Sequence, residues 1–558
     1  MGIPSYFSYI IKNHANIIRN SYHIENVAKV RFHSLYMDCN SIIYDAVRAL
    51  ETKEAEALAS ADAPHLSFEE RIVQSVITRI QHYIGIIRPT NVLYIAFDGV
   101  APFAKMEQQR TRRYKTSYLA TLDFENNRRL TSEELLEKKN AAWNTAAITP
   151  GTDFMELLSA RVKRAFSDPL FLSRNRIQTV LVSTSQEPGE GEHKMFQYMR
   201  EHTNKTETIA VYGLDSDLIM LSIFHHFYCY NIHIFRESPA FSKSLLPANM
   251  RVSDKDVLFL NIHKLSQHIL QEMGCSTLSR RPIYDYVFLC FLLGNDFLPH
   301  FPALNLRTKG IYVLMDLYAK TIGAYSDRSF IDETTLRVRW RWLHLFITEC
   351  AKMEHTLLLE EYTARAQMAK TAYSTKTAAD RANAFENIPI LLRAEELYIC
   401  PEELEWENRF YKIAFHQERT PEFVRTVCTR YLEGLEWVFK YYTQGCPHWR
   451  WKYPYHYAPL LCDLAKHIPL HEKQYIYSNA GNNRPFHPHI QLAYVIPRVQ
   501  HSLLPSHIRN KLERFPNLFP NIETIQFQWI GCRYFWEAHA LLPEIPLELL
   551  EKWEKEMV

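Results

Sequence analysis

Seven carboxylates in turn-like settings are the residues of this sequence best suited to chemistry. They are Asp38 in YMDCN, Asp98 in FDGV, Glu190 and Glu192 in PGEGEHK, Asp215 and Asp217 in GLDSDL, and Asp296 in LGNDFLP. Taken singly, each reads as a turn or helix-cap residue. Gathered in one place they would repel one another strongly unless cations neutralised them, and hard oxygen ligands of this kind suit Mg²⁺ or Mn²⁺. Two such ions about 3.5–4 Å apart are a standard device for in-line phosphodiester hydrolysis. Asp215 and Asp217 are two apart, which in extended chain turns both toward one cation. Gly189 and Gly191 would let Glu190 and Glu192 stay extended and close to a ligand, whereas a helix would point them roughly 200° apart. Asp296 follows the apolar run YVFLCFLLG, where a buried helix stops, and a carboxylate beside so much apolar surface needs a partner.

A second group is basic. Lys105, Gln109, Arg112 and Arg113 fall at i, i+4, i+7 and i+8, a single stripe of about 100° on a helix. On spacing alone this stripe also fits a solvated basic face.

These groups need a frame to hold them. From His33 to about Asn231 short apolar runs alternate with amphipathic stretches, the pattern of strands and crossover helices in a mainly parallel α/β sheet. The runs HSLYMD, NVLYIAFD, IQTVLVST and ETIAVYGLD stand out, and three of them end in Asp38, Asp98 and Asp215. Ligands collect at the carboxyl ends of strands in open α/β sheets, so these aspartates should converge on one edge. Helix formers and charge from Lys105 onward predict a long projecting helix over about 104–145, with breaks of pattern near Leu122 and Thr131. A core unit is expected over 1–335, with a helical connector over 336–388. The aromatic, proline-rich stretch 389–558 should pack on that core; its densest part is WVFKYYTQGCPHWRWKYPYHYAP.

The chain has 558 residues, 47% hydrophobic and 13% aromatic, enough to bury a large core in two or three units. No two of its ten cysteines lie within four positions of each other, so neither a redox CxxC nor a zinc knuckle can be drawn, and reduced thiols in an intracellular protein are expected. No run approaches about 18 apolar residues, and the start MGIPSYFSYI lacks a charged region followed by a long apolar one, which argues against membrane insertion and secretion. Tyr6 stands where a myristoylation signal wants Ser or Thr. A net charge of only +2 leaves nucleic-acid contact to local clusters.

The strings MGIPSYF, LYMDCNSIIYD, AFDGVAPFAKMEQQRTRRY, ITPGTDFM, EPGEGEHKMF, VYGLDSDLIML and FLLGNDFLPHFP, in this order, resemble the catalytic region of the Xrn family of 5′→3′ exoribonucleases. The block YLEGLEWVFKYYTQGCPHWRWKYPYHYAP resembles the family's second segment, and RPFHPHIQLAYVIP with WEAHALLP its end. The resemblance implies a PIN/flap-nuclease-like core whose active site the second segment closes into a pocket. It also implies processive hydrolysis of 5′-monophosphorylated single-stranded RNA to nucleoside 5′-monophosphates, as in RNA decay. Two Mg²⁺ ions, replaceable by Mn²⁺, would be held by Asp38, Asp98, Glu190, Glu192, Asp215, Asp217 and Asp296.

By the same resemblance Lys105, Gln109, Arg112 and Arg113 form the 5′-phosphate pocket. Tyr44 stands where the family usually has a base-stacking histidine, and Trp437 resembles the aromatic partner from the second segment, with Trp449 and Trp451 competing for the role. Pro102 and the N-terminal segment resemble the features that admit a single strand. Phe103 departs from the basic residue often seen there. Two rivals remain: a structure-specific flap endonuclease, told apart by oligonucleotide products, and a non-catalytic RNA-binding scaffold, against which all seven acids argue. No Lys/Arg-rich run resembling a nuclear signal occurs, so the cytoplasm is the default expectation and the nucleus stays open.

Overall fold

The computed structural model describes residues 3, 6–57, 66–123, 128–129, 143–213, 215–237, 257–275, 278–478 and 481–557. Its centre is a seven-stranded sheet built from β1 (Ile18–Asn20), β2 (Ser34–Asp38), β3 (Val92–Ala96), β4 (Thr179–Ser183), β5 (Thr208–Tyr212), β6 (Asn231–Glu237) and β7 (Val257–Asn261). The order is β1-β7-β6-β5-β2-β3-β4. The run β4-β3-β2-β5-β6 is parallel, and β7 and β1 close one edge antiparallel.

All four expected strands are present and parallel, with β1, β6 and β7 added. Strand order reverses at the β2/β5 boundary: the chain moves outward through β3 and β4, then returns to the other side of β2. A crevice opens at such a reversal, at the carboxyl ends of the strands.

Alternation along the strands feeds two apolar layers. Tyr36, Tyr94, Ile209, Val211 and Ile234 point to one face. Leu35, Met37, Leu93, Ile95, Ala210 and Phe235 point to the other. The second face is covered by α1 (Asn40–Ala57), α2 (Phe68–Ile87) and α4 (Asp153–Phe166). The first is covered by α5 (Gly191–His202), α6 (Ser216–His225), α7 (Ile262–Glu272) and α8 (Arg280–Phe291). Beyond them the same apolar cluster continues into α9 (Trp340–Met368) and α10 (Pro421–Gln444), so the helical half shares one core with the sheet. At about 1.5–3 kcal/mol for each fully buried large apolar side chain, this shared layer is what holds the two halves together.

The expected long helix is realised over Phe103–Leu119 (α3). Thr121 ends it by turning both its N–H and its hydroxyl onto the Tyr118 carbonyl, at 2.9 and 2.6 Å. The chain then enters a short antiparallel pair, Leu122–Asp123 with Arg128–Arg129. Of the rest of the expected helix, 124–127 and 130–142 lie outside the described residues, and its far end falls in the single 3₁₀ turn Thr145–Ala147. Nor does α3 stand clear of the fold. Phe103 packs on Phe486 and on Tyr494 of α11 (Pro488–Val495), with ring centroids 5.9 and 5.4 Å apart. Arg110 donates to the Pro543 and Leu518 carbonyls, and Lys115 to that of Trp536. The helix is a wall between the sheet and the second half of the chain.

Candidate active site

The acids converge at the carboxyl edge of the parallel strands. Asp38 is the last residue of β2, and Asp98 follows β3 by two. Glu190 is the N-cap of α5 and Glu192 lies in its first turn; Asp215 and Asp217 repeat that arrangement at α6. Both pairs therefore differ from the extended chain expected of them. A cap residue and the second helical residue both look toward the helix N-terminus, where the free N–H groups and the positive end of the helix dipole favour carboxylates. Glycine is needed here for space. An added Cβ on Gly99 would lie 1.8 Å from the Glu187 carbonyl oxygen, and one on Gly191 would lie 2.9 Å from Asp38 Oδ1.

Asp98 is the best-held acid. It accepts from Asn40 Nδ2 at 2.6 Å and from the Gly191 N–H at 2.7 Å, while its own N–H donates to Asn40 Oδ1. Burial nevertheless raises its pKa, with Glu190 adding to the effect. Burial, then Asp98 and Asp215, lift Asp38 well above the usual carboxylate range. Glu192 is lifted by burial, Asp217 and Glu190. Burial and Asp296 push Asp217 up to about 6. Asp215 is exposed.

Lys105 relieves part of this crowding. Its Nζ lies 2.5 Å from Glu190 Oε2 and 2.6 Å from Asp296 Oδ2. Burial works against the ammonium, but Asp296 and Glu190 outweigh it and hold its pKa well above the ordinary value. Against its own burial, Asp296 is in turn held far below the usual range by Lys105.

Among the described residues, no three of Asp, Glu, His and Cys are arranged as a ready ligand shell. By donor chemistry the site does fit hard divalent cations. It is a set of largely buried oxygens whose charges oppose one another, and an ammonium already bridges two of them.

One cavity of about 550 Å³ joins this cluster to the basic stripe. Asp38, Asp98, Glu190, Glu192, Asp215 and Asp217 line it together with Lys105, Gln109, Arg112, Arg113 and Tyr44. Asp296 lines a second, largely apolar cavity behind α3, of about 600 Å³, and reaches the acids through Lys105. Arg113 is anchored, donating to Thr149 Oγ1 and, at 3.4 Å, to the Ala146 carbonyl. Burial draws its pKa down to about 10, which leaves it charged. The Arg112 guanidinium makes no hydrogen bond or ion pair among the described residues and borders both cavities. Gln109 accepts from Gln491 Nε2 at 3.3 Å.

Besides Asp296, two further expected residues are not brought to the cavity. Trp437 is 0% exposed. Its indole N–H donates to the His448 carbonyl at 2.9 Å, and its ring stacks on Trp451 at 5.2 Å and 22°. No ring face is left for a base, and neither Trp449 nor Trp451 lines the cavity. Trp437→Ala is accordingly expected to lower stability by about 3–5 kcal/mol in urea unfolding, as loss of a core aromatic does. Pro102 is buried as the N-cap residue of α3 and likewise does not line the cavity.

Sequence reasoning missed several groups. Gln491 donates to Gln109 and accepts from the Ala101 N–H at 2.8 Å. Tyr441 and Tyr442 of α10 bond to Glu190 and Asp217. The only signal for them was their place inside the strings KYYTQG and HIQLAYV, already singled out on other grounds.

Comparison with known proteins adds family information. A family model described as the XRN 5′-3′ exonuclease N-terminus matches residues 1–238, and one described as the Xrn1 helical domain matches 279–395 and 402–557. The 5′-3′ exoribonuclease 2 of Gallus gallus is 27% identical, the alignment covering 97% of this chain and 68% of that protein. The 5′-3′ exoribonuclease 2 homolog of Drosophila melanogaster is 26% identical over 99% and 70%. The 5′-3′ exoribonuclease 1 of Saccharomyces cerevisiae is 26% identical over 97% of this chain but 42% of its own length. Among solved structures, the catalytic core of Rad2 in complex with a DNA substrate aligns with 57% of this chain and 69% of its own at a TM-score of 0.29 and 15% identity.

Proposed function

The chain belongs to the XRN 5′-3′ exonuclease family and is a 5′→3′ exoribonuclease, and from that premise we propose that it acts processively on single-stranded RNA with a 5′ monophosphate, releasing nucleoside 5′-monophosphates. One observation carries the proposal: six carboxylates and the basic stripe of α3 line a single cavity of about 550 Å³, a size suited to one terminal nucleotide.

In this reading Asp38, Asp98, Glu190, Glu192, Asp215, Asp217 and Asp296 hold two Mg²⁺ ions, for which Mn²⁺ can substitute. Bound there, the ions would supply an activated water at neutral pH and charge stabilisation at the phosphorus. The chain's own residues do the selecting. Arg112 presents a free planar fork to the terminal phosphate, and Arg113 adds a second guanidinium fixed by Thr149. Gln109 sits in the same stripe, turned by Gln491. Lys105 stands between the carboxylates and the stripe, within reach of either. Tyr44, half-buried in the lining of the same cavity, offers its ring to the first base, a contact worth about 1–3 kcal/mol.

The decisive assay uses internally labelled RNAs with 5′-monophosphate, 5′-triphosphate or capped ends, in Mg²⁺ and in chelator, with products resolved by size. Mononucleotides from the monophosphate RNA in Mg²⁺, resistance of the other two, and silence in chelator are expected. Oligonucleotide products would replace this reading with that of a flap-type endonuclease.

A further inference from the structure

Two consecutive tyrosines carry the helical half of the molecule into the acid cluster. Tyr441 Oη donates to Glu190 Oε1 at 2.8 Å, and Tyr442 Oη donates to Asp217 Oδ1. Neighbours on a helix point about 100° apart, and the end of α10 thereby reaches Glu190 at the N-cap of α5 with one tyrosine and Asp217 in the first turn of α6 with the next. Both tyrosines are buried, 2% and 1% exposed. Their rings are also gripped. His193 stacks on Tyr441 at 3.7 Å and meets Tyr442 edge-on at 5.4 Å, while Phe297 and Phe291 close on the other sides at 5.5 and 5.0 Å.

A phenol held this firmly delivers its proton to a fixed point. Each hydroxyl therefore sets the orientation of one carboxylate and occupies one of its two oxygens, leaving the other to face the cluster; in Glu190 that second oxygen meets Lys105. Loss of a group that orients the ligand of a metal typically costs about 10–100-fold in affinity.

We propose that Tyr441 and Tyr442 are positioning residues of the reaction, which fix Glu190 and Asp217 in the arrangement that takes up divalent cations. The affinity of the acids is thus set by the helical half of the chain. This rests on the reading of the acids as cation ligands.

The test is calorimetric titration of Mn²⁺, without RNA, into the wild type, Tyr441→Phe, Tyr442→Phe and Tyr453→Phe. The last removes a buried hydroxyl that donates to the Tyr457 carbonyl at 2.9 Å and touches no acid. Phenylalanine keeps the ring packing, so melting temperatures should stay close to that of the wild type. The Mn²⁺ dissociation constant should rise about 10–100-fold in Tyr441→Phe and Tyr442→Phe and stay unchanged in Tyr453→Phe. Excess Mn²⁺ should restore most of the RNA-degrading rate of the two variants. Affinities within twofold of wild type in both, or an equal loss in Tyr453→Phe, would overturn the positioning role while leaving the cation reading intact. If the wild type takes up no Mn²⁺ and degrades RNA in chelator, the cation reading falls and the proposal with it.

Discussion

Asp217→Asn should give a folded protein that hydrolyses RNA about 10²–10³-fold more slowly, the scale of losing one preorganised electrostatic contact from a water-poor site. The side chain is buried, faces the shared cavity and is fixed by Tyr442, so the isosteric amide keeps the shape and removes only the charge. Its effect on stability has the opposite sign. The folded-state pKa is raised from 3.8 to about 6, so between those values the folded protein binds more protons than the unfolded one, and stability falls as pH rises through that window. Asp38 and Glu192 are shifted in the same direction. Metal-free wild type should therefore melt at progressively lower temperature from about pH 4 to pH 6 and regain stability on addition of Mg²⁺ or Mn²⁺. Asp217→Asn should show a flatter pH dependence and a smaller gain from metal. Near-normal turnover of this variant would remove Asp217 from the site.

Arg112→Ala should lower the ratio of rates on 5′-monophosphate and 5′-hydroxyl RNA by about 10–150-fold, the equivalent of one charge-assisted bond of roughly 1.5–3 kcal/mol. Arg112 is the cleaner probe of the stripe because its guanidinium has no partner to lose among the described residues. Arg113→Ala would also break the bonds to Thr149 and Ala146 and so combine lost recognition with lost stability. The ratio is the informative quantity, since a residue that merely grips the RNA backbone would lower both rates equally and leave it unchanged. Such a result would separate the stripe from 5′-end sensing.

The legible parts of the molecule were those written in local pattern. Runs ending in Asp38, Asp98 and Asp215 announced parallel strands and the edge where their acids meet, because strand periodicity and the crevice rule need only short stretches of chain. The i, i+4, i+7, i+8 spacing of Lys105, Gln109, Arg112 and Arg113 likewise survives as one face of α3. What failed is ambiguous at that scale. Glu190 and Glu192, like Asp215 and Asp217, are two apart, which suits both an extended chain and a cap with a first helical turn; Gly191 and Ser216 open helices instead. The break of pattern near Leu122 does mark the stop made by Thr121, but the helix-forming composition beyond it concealed that a strand pair follows directly. Trp437 has the same sequence appearance in a core as on a stacking surface, and only its bond to His448 and its contact with Trp451 decide between them. Tyr441 and Tyr442 meet acids 251 and 225 residues earlier, a distance over which local pattern says nothing.

That separation also has a consequence in time. As the chain leaves the ribosome, every acid has been made once Asp296 has emerged, yet the two tyrosines of α10 and the Gln491 that turns Gln109 are still to come. At roughly 5–20 residues per second, about 10–40 s of translation lie between Asp296 and Gln491. Throughout that interval the nascent chain holds the carboxylates without the residues that, in the finished fold, fix Glu190, Asp217 and Gln109 in place.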